Sequence, residues 1–409
     1  MTARIKVKWL SIQRKTIDPL DMPDGDLELW SIPDFDNGSP SITNRQSIGS
    51  SKKVVFPGDV LLSKIVPHIR RAWIVRESNL PQYASTEWLT FHSSKVRPEF
   101  LRYALLTDEF NRQMQLNSNG MGSLKRADPE KVGEQQINLP TIRKQKIIAD
   151  FLDKRLVAID AVLHQKSEQL KKISSYRQSL ITRAVTKGLD PNVEMKDSGV
   201  AWIGHVPSHW KILKLKLVAT FSSGGTPDRN NKTYWNDGTI PWLKTGELRN
   251  NEILSSEEFI TVEGLKNSSA KILPKGTVLI AMYGHTRGMT GLLLAPCACN
   301  QACLGISCCK KLFNKYLQFV LISCNTYIRE KAIGGGQPNL SQEIIADLKI
   351  PLPSMNEQIE IVNRINSISE PIERLTKKLN KSLDCLMEYR SSLISAAVTG
   401  QLAIEEAAE

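Results

Sequence analysis

No stretch of this chain approaches the roughly 18 consecutive apolar residues that a membrane-spanning helix requires. The opening MTARIKVKWL carries basic residues with no apolar run of signal-peptide length behind them. A cytoplasmic protein is therefore expected. Cysteine is scarce: seven residues, an odd number, with six between 297 and 324 and a distant Cys385. A secreted disulfide framework looks different, so reduced thiols are expected. The common catalytic signatures are missing too. The chain has no GxxxxGK(S/T) phosphate loop, no HExxH, no dinucleotide fingerprint around its glycines and no Pro-Pro dipeptide of the amino-methyltransferase type. No Pro-Asp is followed closely by the acidic-x-Lys pair that nucleases use to hold metal. Intrinsic catalysis is not expected.

What is present is ample and ordinary. The 409 residues, at roughly 150 per domain, suggest two or three domains. With 41% hydrophobic and 23% charged residues the chain reads as folded rather than disordered. The formal charge of +12 is compatible with a polyanionic partner without demanding one. It is also unevenly spread, at +3 over residues 1–138, +7 over 139–188, +5 over 189–350 and −3 over 351–409.

The chain repeats itself, and the repeat sets the architecture. Residues 139–189 laid over 352–402, a shift of 213 with no gap, agree at 15 of 51 positions, including Leu139/Leu352, Pro140/Pro353, Gln145/Gln358, Tyr176/Tyr389 and Arg177/Arg390. Fainter echoes precede each copy: FPGDVLLS at 56–63 resembles LPKGTVLIA at 273–281, and Gly122 falls opposite Gly335. In the first copy an apolar seam runs Ile159, Leu163, Leu170, Ile173, Leu180 and Ala184, interrupted at Lys166 and Arg177. In the second it runs Ile372, Leu379, Leu383, Leu386, Leu393 and Ala397, interrupted at Thr376 and Arg390. This 4-3 spacing over almost four heptads predicts two long helices that pair with each other. Pro371, which lacks a backbone donor, predicts a break near Ser369, with a matching bend near Ala158. The preceding regions mix β-rich runs such as GTVLIAMYG with helical periodicity such as NKYLQFVLISCNTYIREKAI, and tight turns are signalled at 36–38, 223–227 and 334–336.

The cysteine run 297–309 has spacing that could hold zinc. Its counterpart in the first half places Gln82, Ala84 and Trp88 at the positions of Cys297, Cys299 and Cys303, so the fold assembles once without those thiols. Buried structural cysteines are expected and no metal site.

The ordered combination of two LPxxxxQ-headed helical segments ending in YRxSLIxxAVT, the stretch DSGVAWIGHVPSHWKILKL at 197–215, NQACLGI at 300–306 and GGGQPNLS at 334–341 resembles the specificity subunits of type I restriction-modification systems. The first half departs from the pattern, with KVKWLSI in place of the DSGV opening and GMGSLKRADPE in place of GGGQPNLSQE, as two unlike half-sites would require. The resemblance implies an α+β fold. Two mixed α/β target recognition domains, at 1–138 and 189–350, would be separated by an antiparallel coiled coil of two long repeated helices, at 139–188 and 351–409. It further implies a non-catalytic reader of double-stranded DNA, each variable domain taking one half of a bipartite site. The helices would fix the spacer and dock two modification subunits. A restriction subunit would add cleavage, giving a part in DNA methylation and host defence. S-adenosylmethionine, ATP and Mg would belong to those partners, with no cofactor on this chain. The 27 residues from Ile159 to Val185 rise about 40 Å, close to the roughly 34–36 Å of one DNA turn. A scaffold with two protein-binding lobes is the reading of a different class.

Arg, Lys, Asn and Gln forks read base edges, while Lys, Arg and hydroxyls hold phosphates. On that chemistry the DNA-contact candidates in the first domain are Lys64, His68, Arg70 and Arg71, with Lys125 and Arg126 after the glycine turn. In the second they are the aligned loop with Tyr283, His285 and Arg287, together with Lys244, Thr245, Arg249, Asn300 and Gln301. Gln145, Ile159, Leu163, Leu170, Ile173, Leu180, Gln358, Ile372, Leu379, Leu383, Leu386 and Leu393 are the candidates for coiled-coil and subunit-docking contacts.

Overall fold

The computed structural model describes residues 3–120, 125–331 and 339–404. Contacts divide the chain into two units: Met1–Ser167 with Leu379–Glu409, and Glu168–Lys378. Each unit is a sheet-rich lobe carrying part of both long helices, Ile142–Lys187 and Met355–Thr399.

In the first unit the run after Pro57 and Gly58 becomes strand Val60–Ser63, buried at all four residues. Burial on both faces is why it reads as continuous apolar sequence instead of alternating. It lies antiparallel between Ala72–Ile74 and Trp88–Phe91. A five-stranded sheet stands beside it in the order Thr16–Ile17, Lys52–Val54, Gln82–Ser85, Leu27–Trp30 and Ser41–Thr43, with Leu27–Trp30 and Gln82–Ser85 parallel. The second unit reuses these pieces. Val278–Ala281 lies antiparallel between Thr290–Leu293 and Cys303–Cys308, and Ile240–Leu243 runs parallel to Ala298–Cys299. Each lobe is closed just ahead of its long helix by one antiparallel pair, Ala3–Lys6 with Gln136–Leu139 and Lys211–Lys214 with Lys349–Leu352.

The cores explain why the helices run antiparallel. Ile148, Leu152 and Leu156 near the start of the first helix share the first lobe's core with Ile394, Ala397 and Val398 near the end of the second. Ile361, Val362 and Ile365 share the second lobe's core with Ile181, Ala184 and Val185. Five pairs among them are related by the 213-residue shift: Ile148/Ile361, Leu152/Ile365, Ile181/Ile394, Ala184/Ala397 and Val185/Val398. Between the lobes' grips the expected seam is half-buried at Ile159, Leu163, Lys166, Leu170, Ile173, Arg177 and Leu180, and at Ile372, Thr376, Leu379, Leu383, Leu386, Arg390 and Leu393. Half-burial is what a seam covered by one partner helix gives. The arginines interrupting the seam bridge the pair: Arg390 Nε to Asp160 at 2.7 Å in the first unit, Arg177 Nη2 to Glu373 at 3.2 Å in the second.

Two expectations are corrected. Neither helix breaks, although Pro371 lies inside the second. Pro371 is exposed, so water can serve the carbonyl that lost its donor, and seam packing on either side, at Ser369 and Ile372, holds the helix through it. Gln145 and Gln358 are not on a docking surface, being 1% and 0% exposed. Gln145 accepts from Arg97 N at 2.8 Å and donates to Pro140 O at 2.9 Å. Gln358 accepts from Phe313 N at 2.7 Å and donates to Lys311 O at 2.9 Å and Pro353 O at 3.1 Å. Each amide fastens a helix start to its own lobe.

Glu357 secures the same helix start. Burial opposes its ionisation, but hydrogen bonds from His209, Ser354 and Trp210 outweigh that and hold its carboxyl at about 2. Since the ordinary value is 4.5, this carboxylate adds stability above pH 4.5 that is lost as pH falls towards 2. Glu357→Gln is expected to flatten the acid limb of the stability profile below pH 4.5, as read by denaturant unfolding at stepped pH.

Candidate nucleic-acid interface

The first lobe brings together sequence candidates that lie 60 residues apart. Lys64 N donates to Glu87 O at 3.1 Å, Ala127 N to Lys64 O at 2.7 Å and Val66 N to Lys125 O at 2.8 Å, so the 64–71 loop is laced to the 125–127 segment. Lys64 Nζ then stands 3.7 Å from the Glu87 carboxylate, while Arg126 meets it with Nε and Nη2, each at 3.3 Å. His68 is exposed on the single turn Pro67–Ile69, which buried Asn111 secures by donating to Pro67 O at 2.7 Å. Gly122 and residues 123–124 lie outside the described residues, as do Gly335 and the 334–336 turn.

Arg70 and Arg71 belong elsewhere. Arg70 Nη1 donates to Asp108 at 2.6 Å and to Ser391 on the second long helix. Arg71, 8% exposed, binds both oxygens of Asp36 at 2.8 Å and holds that carboxyl below its usual range. Both are drawn in towards the lobe by carboxylates 38 and 35 residues away in sequence, and their side chains are only 31% and 9% exposed. Arg71→Ala is expected to cost about 1 kcal/mol of stability, because the Asp36 carboxylate it leaves behind is half exposed and water can serve it, with no change in the salt dependence of nucleic-acid binding. Unfolding and a salt titration check the two halves of that statement.

The second lobe repeats the lacing. Met282 N donates to Ala302 O at 2.8 Å and Leu340 N to Met282 O at 3.0 Å, the counterparts of the Lys64 bonds. The two loops share a backbone path as well. Val66 and Arg70 are left-handed at φ 46° and 42°, and their counterparts Gly284 and Gly288 at 71° and 80°. Glycine takes this conformation freely and a β-branched valine does not, so the first loop depends on its ties to stay in it.

Around this frame four segments converge. Asn300 N donates to Leu243 O, and Gly225 N to Cys299 O, each at 2.9 Å. A Cβ at Gly224 would meet the Asn300 carbonyl, and one at Gly225 the backbone of Ser269 and Ala270, so only glycine permits the approach. Thr226 Oγ1 donates to the exposed Gln301 Oε1. Asn300 is turned inward, its Oδ1 buried without a partner among the described residues. Lys244 pairs with Glu258 at 2.7 Å, which raises its pKa. Thr245 opens the turn Thr245–Glu247, and exposed Arg249 reaches Gly246 O at 3.2 Å. Tyr283 and His285 are exposed on the loop, whereas Arg287 is half-buried.

Sequence reasoning missed the residues that position these groups. Glu87 and Glu258 read as ordinary surface acids. Arg229, bound to Glu258 at 2.7 Å, lies 3.7 Å over the ring of Trp235 and 4.7 Å over that of Trp242. An arginine shortly ahead of Trp235 and Trp242 is the local signal that could have drawn attention to it.

Four of the thiols, those of Cys297, Cys299, Cys303 and Cys324, are buried core groups, whereas Cys308 is half-buried and Cys309 and Cys385 are exposed, so the expectation of burial does not hold for the end of the 297–309 run; all seven cysteines are unpaired. Burial pushes Cys297 up to about 12, while a hydrogen bond that the Cys303 thiol donates to Cys299, together with burial, pushes Cys303 up. Protonated thiols are poor metal ligands and poor nucleophiles. Among the described residues no cluster of His, Cys, Asp or Glu suits a metal ion, and no helix is long and apolar enough to cross a membrane.

Two α+β lobes built on one plan, each closed onto a repeated helix, make this a tandem two-lobe protein. Comparison with known proteins places it. Residues 12–172 and 207–384 match the type I restriction modification DNA specificity domain, and the chain belongs to that family. It is 29% identical over 187 residues to the type I restriction enzyme MjaIX specificity subunit of Methanocaldococcus jannaschii, covering 44% of this chain and 43% of that one. It is 27% identical over 186 residues to the EcoR124I/EcoR124II specificity subunit of Escherichia coli, covering 44% and 45%. These alignments span less than half the length of those relatives. A weaker likeness, 22% over 418 aligned positions, covers 87% of this chain and 88% of the HindI specificity subunit of Haemophilus influenzae. The fold is shared with a chain from a structure concerned with complex assembly and conformational transition of the type I R-M system, at TM-score 0.64, 18% identity and 98% coverage of both.

Proposed function

We propose that this chain is the DNA-specificity subunit of a type I restriction-modification complex and is not itself an enzyme. Each lobe reads one half of a bipartite site in double-stranded DNA. The paired helices fix the gap between the halves and dock two modification subunits, and restriction subunits join that assembly. S-adenosylmethionine, ATP and Mg are held by those partners. The observation that carries this reading is the repeated backbone frame with unlike side chains. The same lacing that presents Lys64, His68, Lys125 and Arg126 in one lobe presents Tyr283, His285 and Gln301 in the other, which is what reading two different half-sites needs. Within this reading Lys64, Lys125, Lys244 and Arg249 serve phosphates, and His68, Arg126, His285 and Gln301 serve base edges.

A gel-shift assay with the chain alone and with a modification subunit tests the proposal. The expected result is a shifted duplex that a cognate competitor removes and a random one does not, with affinity falling steeply with salt. A scaffold with two protein-binding lobes would shift no DNA under either condition.

A further inference from the structure

The shared frame has three presenting positions, and the lobes fill them with different chemistry. Where the first lobe has Lys64, Glu87 and Arg126, the second has Met282, the turn residue Gln301 beside Ala302, and Asn339, by the matched hydrogen bonds above. The first set is charged and the second offers two amides. In each lobe a polar side chain fixes the orientation of an exposed member of the set. Glu87 occupies the Nε and Nη2 donors of Arg126. A guanidinium carries five donors in a rigid fork, so the Nη1 side remains for a ligand with two acceptors. In the second lobe Thr226 Oγ1 donates to one lone pair of Gln301 Oε1. That leaves one acceptor lone pair and the Nε2 donors on the same planar amide.

Resting on the proposed DNA-reading function, we infer that Arg126 reads a guanine in the half-site taken by the first lobe and that Gln301 reads an adenine in the half-site taken by the second. Guanine offers N7 and O6, two acceptors, to a guanidinium edge. Adenine offers N7 as acceptor and N6 as donor, which an amide matches with one donor and one acceptor. Glu87 and Thr226 are positioning residues. Arg126 keeps a 55% exposed side chain and Gln301 is exposed, so both are presented outward. The other cation of the first set, half-buried Lys64, has a single ammonium and no fork to discriminate with.

The test is selection of bound duplexes from a randomised library by the full chain in complex with its modification subunit. The unaltered chain is compared with Arg126→Ala, Glu87→Ala, Glu87→Gln and Gln301→Ala. Arg126→Ala is expected to abolish a preference for G·C at one base pair of one half-site, relaxing it by about tenfold or more, with every other position unchanged. Glu87→Ala should relax the same base pair and no other. Glu87→Gln, still an acceptor, should retain part of the preference, which a merely structural role would not do. Gln301→Ala should relax one A·T base pair in the opposite half-site. If Arg126→Ala weakens all sequences equally and lowers the salt slope, Arg126 is a phosphate contact and the inference is overturned. It is equally overturned if the relaxed pair is not G·C. If the unaltered chain selects no bipartite motif at all, the functional reading itself has failed.

Discussion

Alanine in place of Gln358 is expected to destabilise the second unit by about 3 kcal/mol or more, and Gln145→Ala to do the same to the first. Each substitution removes one buried side chain that satisfies several backbone groups at once. For Gln358 these are the Phe313 N–H and the Lys311 and Pro353 carbonyls. An unpaired buried backbone group costs about 1–3 kcal/mol. The groups would be stranded beneath the helix start, in the space now filled by the fully buried Gln358 side chain. Gln358→Glu makes a sharper case. It keeps the shape but replaces the donors to Lys311 O and Pro353 O with an acceptor, so it should be no milder than alanine. Native-state hydrogen exchange resolved to each unit is the measurement, because a two-unit chain need not unfold in a single transition. Unchanged protection in the affected lobe would show that the amide is dispensable.

Deleting one heptad from both helices, residues 166–172 and 379–385, is expected to change the gap in the DNA site and leave the half-sites intact. The deletion lies between the cross-helix bonds Asp160–Arg390 and Glu373–Arg177 in each helix, so both bonds and the 4-3 seam survive it. Seven residues at 1.5 Å rise are about 10 Å, or about three base pairs at 3.4 Å each. Deleting either segment alone removes the match between the helices and should abolish assembly of a stable chain. Methylated-site sequencing reads both results, and an unaltered gap after the double deletion would end the view of the helices as a ruler.

How much of this was legible in the sequence follows from the range of the interactions. The repeat and the seam were visible because their period is local, and the structure half-buries the seam residues from Ile159 to Leu180 and from Ile372 to Leu393. Even the interruptions at Arg177 and Arg390 were visible as departures, though their acidic partners on the other helix were not. The break at Pro371 was read from a local rule that the packing on both sides outweighs. Gln145 and Gln358 stood out as repeated residues, yet a glutamine in a helix's first turn reads as surface, and only the lobe packed over it makes it a fastener. The ion pairs of Arg70 and Arg71 were hidden for the same reason. A basic pair after a strand is indistinguishable from an open DNA fork until Asp108 and Asp36 arrive from distant segments. The matching of the two loops was legible in sequence, and the shared left-handed residues Val66 and Gly284 give the physical ground for it.

Genome-wide mapping of methyladenine in cells expressing this chain with its modification subunit tests the central claim most directly. The prediction is one asymmetric motif, of two unlike halves separated by a fixed unspecified gap, that disappears when this chain is omitted and changes in one half only when one lobe is exchanged. Methylation at a single continuous motif, or a pattern that persists without this chain, would contradict it.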